Sequence, residues 1–373
     1  MRTILANIFF GIAALATIFF VKEFKPRVPP QDLIQRYLLD RPAEIPVSAA
    51  YILNDLPRNY SKTGTVDYTV WVQKSINDNR TVVFPDFPLL VNAAGLKVPS
   101  DRVLIFQEKS LLQFAGPAKA KYADILKIYN AENVRIVNPR IKGSKHAQNG
   151  QQGEWSAGIS ILNSKNITVE NPYIYDTYGD GIFIGSEDGG FSEQIHITHG
   201  WINNARRNGI SITSARNVYI SNLLVSNTNG TLPECGIDIE PSWNKDVLEN
   251  VNLNNVYTYN NKIGGIAINL NGLSEDSAQK VKTVSININK HTDNGSAYAL
   301  TTSLNVIKGK YDVKGTINIT DSYWQNNRTD VYWKSETEQK TMLTFKNIKI
   351  DDFSKMRKFK AALKNKKNVK VIN

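Results

Sequence analysis

A four-residue pattern recurs through the middle of the chain: Gly158-Ile159-Ser160-Ile161, Gly181-Ile182-Phe183-Ile184, Gly209-Ile210-Ser211-Ile212, Gly236-Ile237-Asp238-Ile239 and Gly265-Ile266-Ala267-Ile268, at spacings of 23 to 29 residues. Between copies runs a second strand type, apolar-x-apolar-x-Asn, as in Val134 to Asn138, Ile167 to Asn171, Val218 to Asn222 and Val251 to Asn255, with weaker versions at Ile317 to Asp321 and Leu343 to Asn347. Both have the period-two alternation of half-buried β-structure. Neither strand buries its apolar face alone, so the repeat predicts stacked coils, about 4.8 Å apart, with Ile and Val columns filling the bore. At a repeat of roughly 25 residues, about ten coils are expected.

The terminal Asn of the second strand marks a corner, because Asn tolerates the left-handed backbone and its amide can bond the Asn of the next coil. His199 takes that position in Ile195-His196-Ile197-Thr198-His199 and is read as a corner filler rather than a catalytic base. Cys235 is the single cysteine, which removes any disulfide framework, and it reads as a small buried residue.

Outside the repeat, an uninterrupted apolar run from Ile4 to Val21 is roughly 27 Å long as a helix, enough to span a bilayer core. Residues 1–21 are expected to be a signal anchor or, with Ala14-Leu15-Ala16 as a processing site, a cleaved signal peptide. Either places the body outside the cytoplasm, with the membrane as a partner if the helix is retained. Residues 22–61, rich in proline, read as a linker, residues 62–350 as the repeat domain, and residues 351–373 as a basic tail. The net charge of +11 is concentrated in that tail, where Lys355 to Lys370 contains eight Lys or Arg and no acid. Nothing upstream looks like a nucleic-acid module, so nucleic acid is excluded as a partner; the oligomeric state is left open.

The repeat resembles the pectate-lyase-like superfamily of right-handed parallel β-helix proteins from about residue 65 to 350. The likeness rests on Asp67-Tyr68-Thr69-Val70 with Val72 and Ile76, on Thr81 to Pro85 and Gly95 to Ser100, and on the phrases Gly179-Asp180-Gly181-Ile182 and Gly236-Ile237-Asp238-Ile239-Glu240-Pro241. It implies an all-β solenoid closed by a short N-terminal cap helix, and a role with an extracellular or capsular polysaccharide. Hydrolases, lyases, epimerases and inactive binders share this scaffold. Arg140-Ile141-Lys142 matches a polygalacturonase tripeptide but precedes every candidate acid, and is read as coincidence.

Corner lengths locate the candidate chemistry. From corner Asn to the next Gly-Ile there are 10 residues in three coils, but 14 from Asn222 to Gly236 and 20 from Asn138 to Gly158. Insertions gather on a binding face, so the outer surface of the Gly-Ile strands, walled by 141–157 and 226–235, is the expected groove. With both Ile inward, Asp238 and Glu240 point outward, about 7 Å apart along the strand. That is near the roughly 6.5 to 9.5 Å of an inverting glycosidase pair.

Asp180 joins them as a candidate catalytic residue, and Arg206 is expected one coil from Asp238 on the same wall. His146, Glu154, Trp155, Tyr178, Arg206, Arg207 and Asn208 are the candidate substrate-binding groups, because rings stack on sugars while guanidinium and carboxylate bond hydroxyl and uronate groups. A lyase or epimerase would use Arg206 or Arg207 and His146 instead of two acids. No cofactor is required, although Asp180 with Glu187 and Asp188 would suit a calcium ion. The leading expectation is a polysaccharide hydrolase acting on an extracellular or capsular polymer, with the net charge suggesting an acidic one. The rival is a non-catalytic glycan-binding or assembly protein.

Overall fold

The computed structural model describes residues 24–116, 123–147, 154–275, 281–304, 313–333, 340–364 and 366–372. They form a right-handed parallel β-solenoid with two sheets. One holds nine parallel strands, one per coil, from Leu96–Lys97 to Thr329–Trp333. The isoleucines Ile159, Ile182, Ile210, Ile237 and Ile266 are in register, one directly above another. They are fully buried, each contributing about 1.5 to 3 kcal/mol of hydrophobic stabilisation. Nine rungs replace the ten coils expected.

The preceding glycines have a steric cause. A Cβ on Gly158, Gly181, Gly209 or Gly236 would lie 2.5 to 2.7 Å from the carbonyl oxygen of the next glycine in the column. Only a bare Cα allows this approach.

The other sheet wraps two faces of each coil. The apolar-x-apolar-x-Asn strand, for example Lys165–Glu170, turns at its Asn into a short third strand, Tyr173–Tyr175, that the two-strand reading missed. Arg140–Lys142 is one of these third strands, paired with Tyr173–Tyr175. Corner residues Asn138, Asn171, Asn222 and Asn255 have φ of 52° to 53°, and His199 takes the same turn at 57°. Asn171 Nδ2 donates to Asn138 Oδ1 at 2.8 Å, and Asn255 Nδ2 to Asn222 Oδ1 at 2.7 Å. His199 interrupts the ladder between them.

Both ends of the bore are closed by helices. At the N-terminal end, Thr69–Asp78 buries Val72 and Ile76, and Gln73 exchanges two hydrogen bonds of 2.8 and 2.7 Å with the backbone of Lys97. The edge of the first rung is thereby satisfied. At the other end the expected basic tail is a second cap. Asp352 accepts from the backbone N–H groups of Ser354 and Lys355, starting helix Phe353–Leu363, whose Phe359 packs edge-on against Trp324 and Phe345. Strand Val369–Ile372 then pairs with Met342–Lys346. The lysines and arginines occupy the exposed side of an amphipathic helix, which charge composition alone could not reveal.

Residues 24–61 are likewise not a free linker. The segment runs across the coils as a strap, held by corner residues: Asn260 donates to the Lys25 carbonyl, and Asn227 both accepts from Arg27 N–H and donates to its carbonyl. Asn171 does the same for Leu39, and Asn138 donates to the Arg41 carbonyl. Helix Gln31–Tyr37 buries Leu33, Ile34 and Tyr37 against Trp201 and Leu224. Ala50–Tyr51 finally pairs with Val82–Val83. The anchor expected at residues 1–21 lies outside the described residues. Among those described, no helix is long and apolar enough to cross a membrane.

Candidate active site

The expected groove strand is covered rather than open. Along the outward column, Ser160, Phe183, Ser211, Asp238 and Ala267 are in register, and most of them are small. The space beside Ser211 admits side chains from the corner before it: Arg207 Nη1 donates to Ser211 Oγ at 3.1 Å, and so does Asn208 Nδ2 at 3.1 Å. Asn208 Nδ2 also donates to Asp238 Oδ2 at 3.0 Å, and its Oδ1 accepts from Cys235 N–H at 3.0 Å. Asp238 is left only 2% exposed. Strand parity fixed its direction but not what would lie over it.

Arg207 is the centre of the site. Its side chain is 13% exposed, and each guanidinium nitrogen faces a different carboxylate. Nη1 lies 3.2 Å from Asp180 Oδ2, Nε 3.4 Å from Glu154 Oε2, and Nη2 3.8 Å from Glu240 Oε2. Asp180 is buried and also accepts from Asn208 N–H at 3.0 Å. Burial opposes the charge on Arg207, but the carboxylates, Asp180 foremost, keep it firmly protonated. Burial likewise pushes the Asp180 carboxyl up, against the pull of Arg207.

Asp238 and Glu240 lie two residues apart, and the Glu240 charge bears on Asp238. Burial first, and the Glu240 charge second, push the Asp238 carboxyl well above the usual range. The two acids form an adjacent carboxyl pair beside Arg207. Glu240 is its accessible member, 35% exposed, and accepts from Asn269 Nδ2 at 2.6 Å. Glu154, 56% exposed, is the other accessible carboxylate on Arg207. Trp155 next to it is also exposed.

Other candidates fall elsewhere. Arg206 turns away from Asp238 and stacks on Tyr178, 4.3 Å from the ring centroid, so that buried ring is not an open platform for sugar. His146 pairs with Asp176 at 3.5 Å instead of joining the carboxyl cluster. Beside it the sequence reading missed Lys145, which donates to Asn204 Oδ1 at 2.7 Å and is pressed down to about 7, mainly by burial. No sequence motif marks it, since its burial comes from neighbouring coils. The calcium arrangement of Asp180, Glu187 and Asp188 does not form. Among the described residues no three His, Cys, Asp or Glu side chains converge to hold a metal ion. Burial pushes the Cys235 thiol well up, which makes it unreactive.

No family model matches this sequence. An uncharacterised Bacillus subtilis protein, YclG, is 27% identical over 259 residues, covering 60% of this chain and 44% of its own length. The chain spans less than half the length of the curated relatives it matches. Its structural neighbours are right-handed parallel β-helix proteins of the polygalacturonase and carrageenase type. PfbA, a surface adhesin of Streptococcus pneumoniae, aligns with a TM-score of 0.60 at 16% identity, covering 81% of this chain and 77% of that one. The endo-xylogalacturonan hydrolase of Aspergillus tubingensis aligns at 0.55 and 12% identity, covering 82% and 93%. The expected parallel β-solenoid therefore holds.

Proposed function

We propose that this chain is a polysaccharide-acting glycoside hydrolase, with Glu240 and Glu154 as its working carboxyl groups. The observation that carries this reading is the placement of these two accessible carboxylates on different nitrogens of one buried guanidinium, with the buried Asp238 beside Glu240. Two carboxyl groups about 5 to 9.5 Å apart are what glycosidases use. In this scheme Glu240 protonates the glycosidic oxygen as its bond to the anomeric carbon breaks. The Glu154 carboxylate takes a proton from the water that bonds to that carbon. Asp180, Arg207 and Asn208 position these groups.

A lyase or epimerase is disfavoured because Arg207 is already surrounded by carboxylates and cannot also bind a uronate. Residues 1–21 are proposed to direct export and, if uncleaved, to tether the enzyme with its body outside the cytoplasm. The test is incubation with a glycan panel, reading reducing ends and the absorbance of unsaturated products. Reducing ends alone support hydrolysis, whereas absorbance means elimination. Retention of a polymer with neither product would assign the chain to non-catalytic glycan binding or assembly.

A further inference from the structure

The charge balance of the site narrows the chemistry of what it binds, an inference that rests on the glycan reading above. Four carboxyl groups, Glu154, Asp180, Asp238 and Glu240, surround one guanidinium. Four acidic side chains thus face a single basic one, and that one is 13% exposed. A uronate or sulfate placed between Glu154 and Glu240 would meet two carboxylates and no uncommitted cation in the cluster. Three nearby basic groups are engaged elsewhere: Arg206 lies on Tyr178, Lys145 on Asn204, and Lys262 on Glu234 at 2.8 Å; Lys127, on the same outward column, is separated from Ser211 by the rungs of Phe183 and Ser160.

The accessible groups are suited to donors instead. Glu154 and Glu240 accept hydrogen bonds, and Trp155 exposes ring surface for the C–H face of a pyranose. We propose that the sugar unit seated between Glu154 and Glu240 carries no acidic group and is recognised through its hydroxyl or amine hydrogens. The polymer at that position is thus neutral or amino-substituted, contrary to the acidic polymer its net charge suggested. Much of the excess positive charge that raised that idea sits at the C-terminal end of the solenoid, on the cap helix and the residues that follow it.

The test is affinity electrophoresis of the full-length chain at low salt through gels containing mixed-linkage β-glucan, galactomannan, chitosan, polygalacturonate, alginate or ι-carrageenan. The parent is compared with a Glu154→Gln, Glu240→Gln double variant of equal thermal stability. A neutral or amino polymer is expected to retard the parent at least tenfold more strongly than the variant. Anionic polymers should show retention that the double substitution leaves unchanged or raises. An anionic polymer whose retention falls in the variant would overturn the substrate class while leaving the site intact. Absence of any polymer that responds to the double substitution would overturn the site and the class together. Reducing ends released from the responding polymer report on hydrolysis separately.

Discussion

Asn208 Nδ2 donates to Asp238 Oδ2 at 3.0 Å from the corner of the preceding coil. This bond ties a buried acid to the same corner whose next residue back, Arg207, organises the accessible ones. Asp238 is 2% exposed, so in the proposed scheme it stands behind Glu240 rather than against substrate.

Replacing Glu240 with Gln, or Glu154 with Gln, is expected to lower kcat by about 10²- to 10⁴-fold, the usual range for general acid–base groups. Asp238→Asn should cost less, because Asp238 is buried beneath Asn208 while Glu240 is accessible. A loss of kcat as large as that of Glu240→Gln would make Asp238 a catalytic group itself.

Arg207→Met leaves Asp180 buried without a cation and should destabilise the fold by about 3 to 5 kcal/mol. Urea unfolding measures it. Asp180→Asn in the same background should recover part of the loss, because it removes the unpaired charge.

A second buried network predicts a pH signature. His291 accepts from Trp324 Nε1 at 3.3 Å and contacts Thr258 Oγ1 at 2.8 Å, which in turn donates to Asp293 at 2.5 Å. Burial lowers His291 to about 3 and raises Asp293 to about 6. The histidine is neutral in the fold, so its contribution is present above its unfolded value and is lost as pH falls from about 6.5 toward 3. The aspartate has the opposite sign: burying it becomes more costly as pH rises from about 3.9 to 6. The two slopes, about 1.4 kcal/mol per pH unit each, cancel between pH 4 and 6. Relative to the parent, Asp293→Asn should lose stability as pH falls through that window, and His291→Asn should gain it. Chemical denaturation at pH 4, 5 and 6 reads both.

Gly209→Ala would set a Cβ 2.5 Å from the Gly236 carbonyl oxygen and force the coils apart, at a cost of about 1 to 3 kcal/mol. Thermal unfolding of the variant should show it.

Asn227→Ala removes both backbone bonds to Arg27 and a donor to Asn203, and should cost about 1 to 3 kcal/mol. Its distinguishing readout is limited proteolysis, which should cut within residues 24–40 much faster than in the parent.

The sequence by itself determined the solenoid, its glycine column, its Asn corners and the position of the N-terminal cap helix. Those features repeat with the coil, and each is dictated by local backbone sterics or by alternation of Ile and Val along one strand. It also supplied most of the residues of the site, because corner lengths and strand parity are local. Tertiary structure alone decided which of them meet. Arg206 and Arg207 are adjacent and chemically alike, yet a one-residue difference in direction sends one to Tyr178 and the other into the carboxyl cluster. Whether Asp238 is exposed depends on Arg207 and Asn208 folding back over Ser211 from another coil, a contact no period in the sequence encodes. The strap and the C-terminal cap were obscured for a related reason: their partners are corner amides and aromatic side chains far along the chain, while their composition, rich in proline or lysine, reads locally as linker and tail.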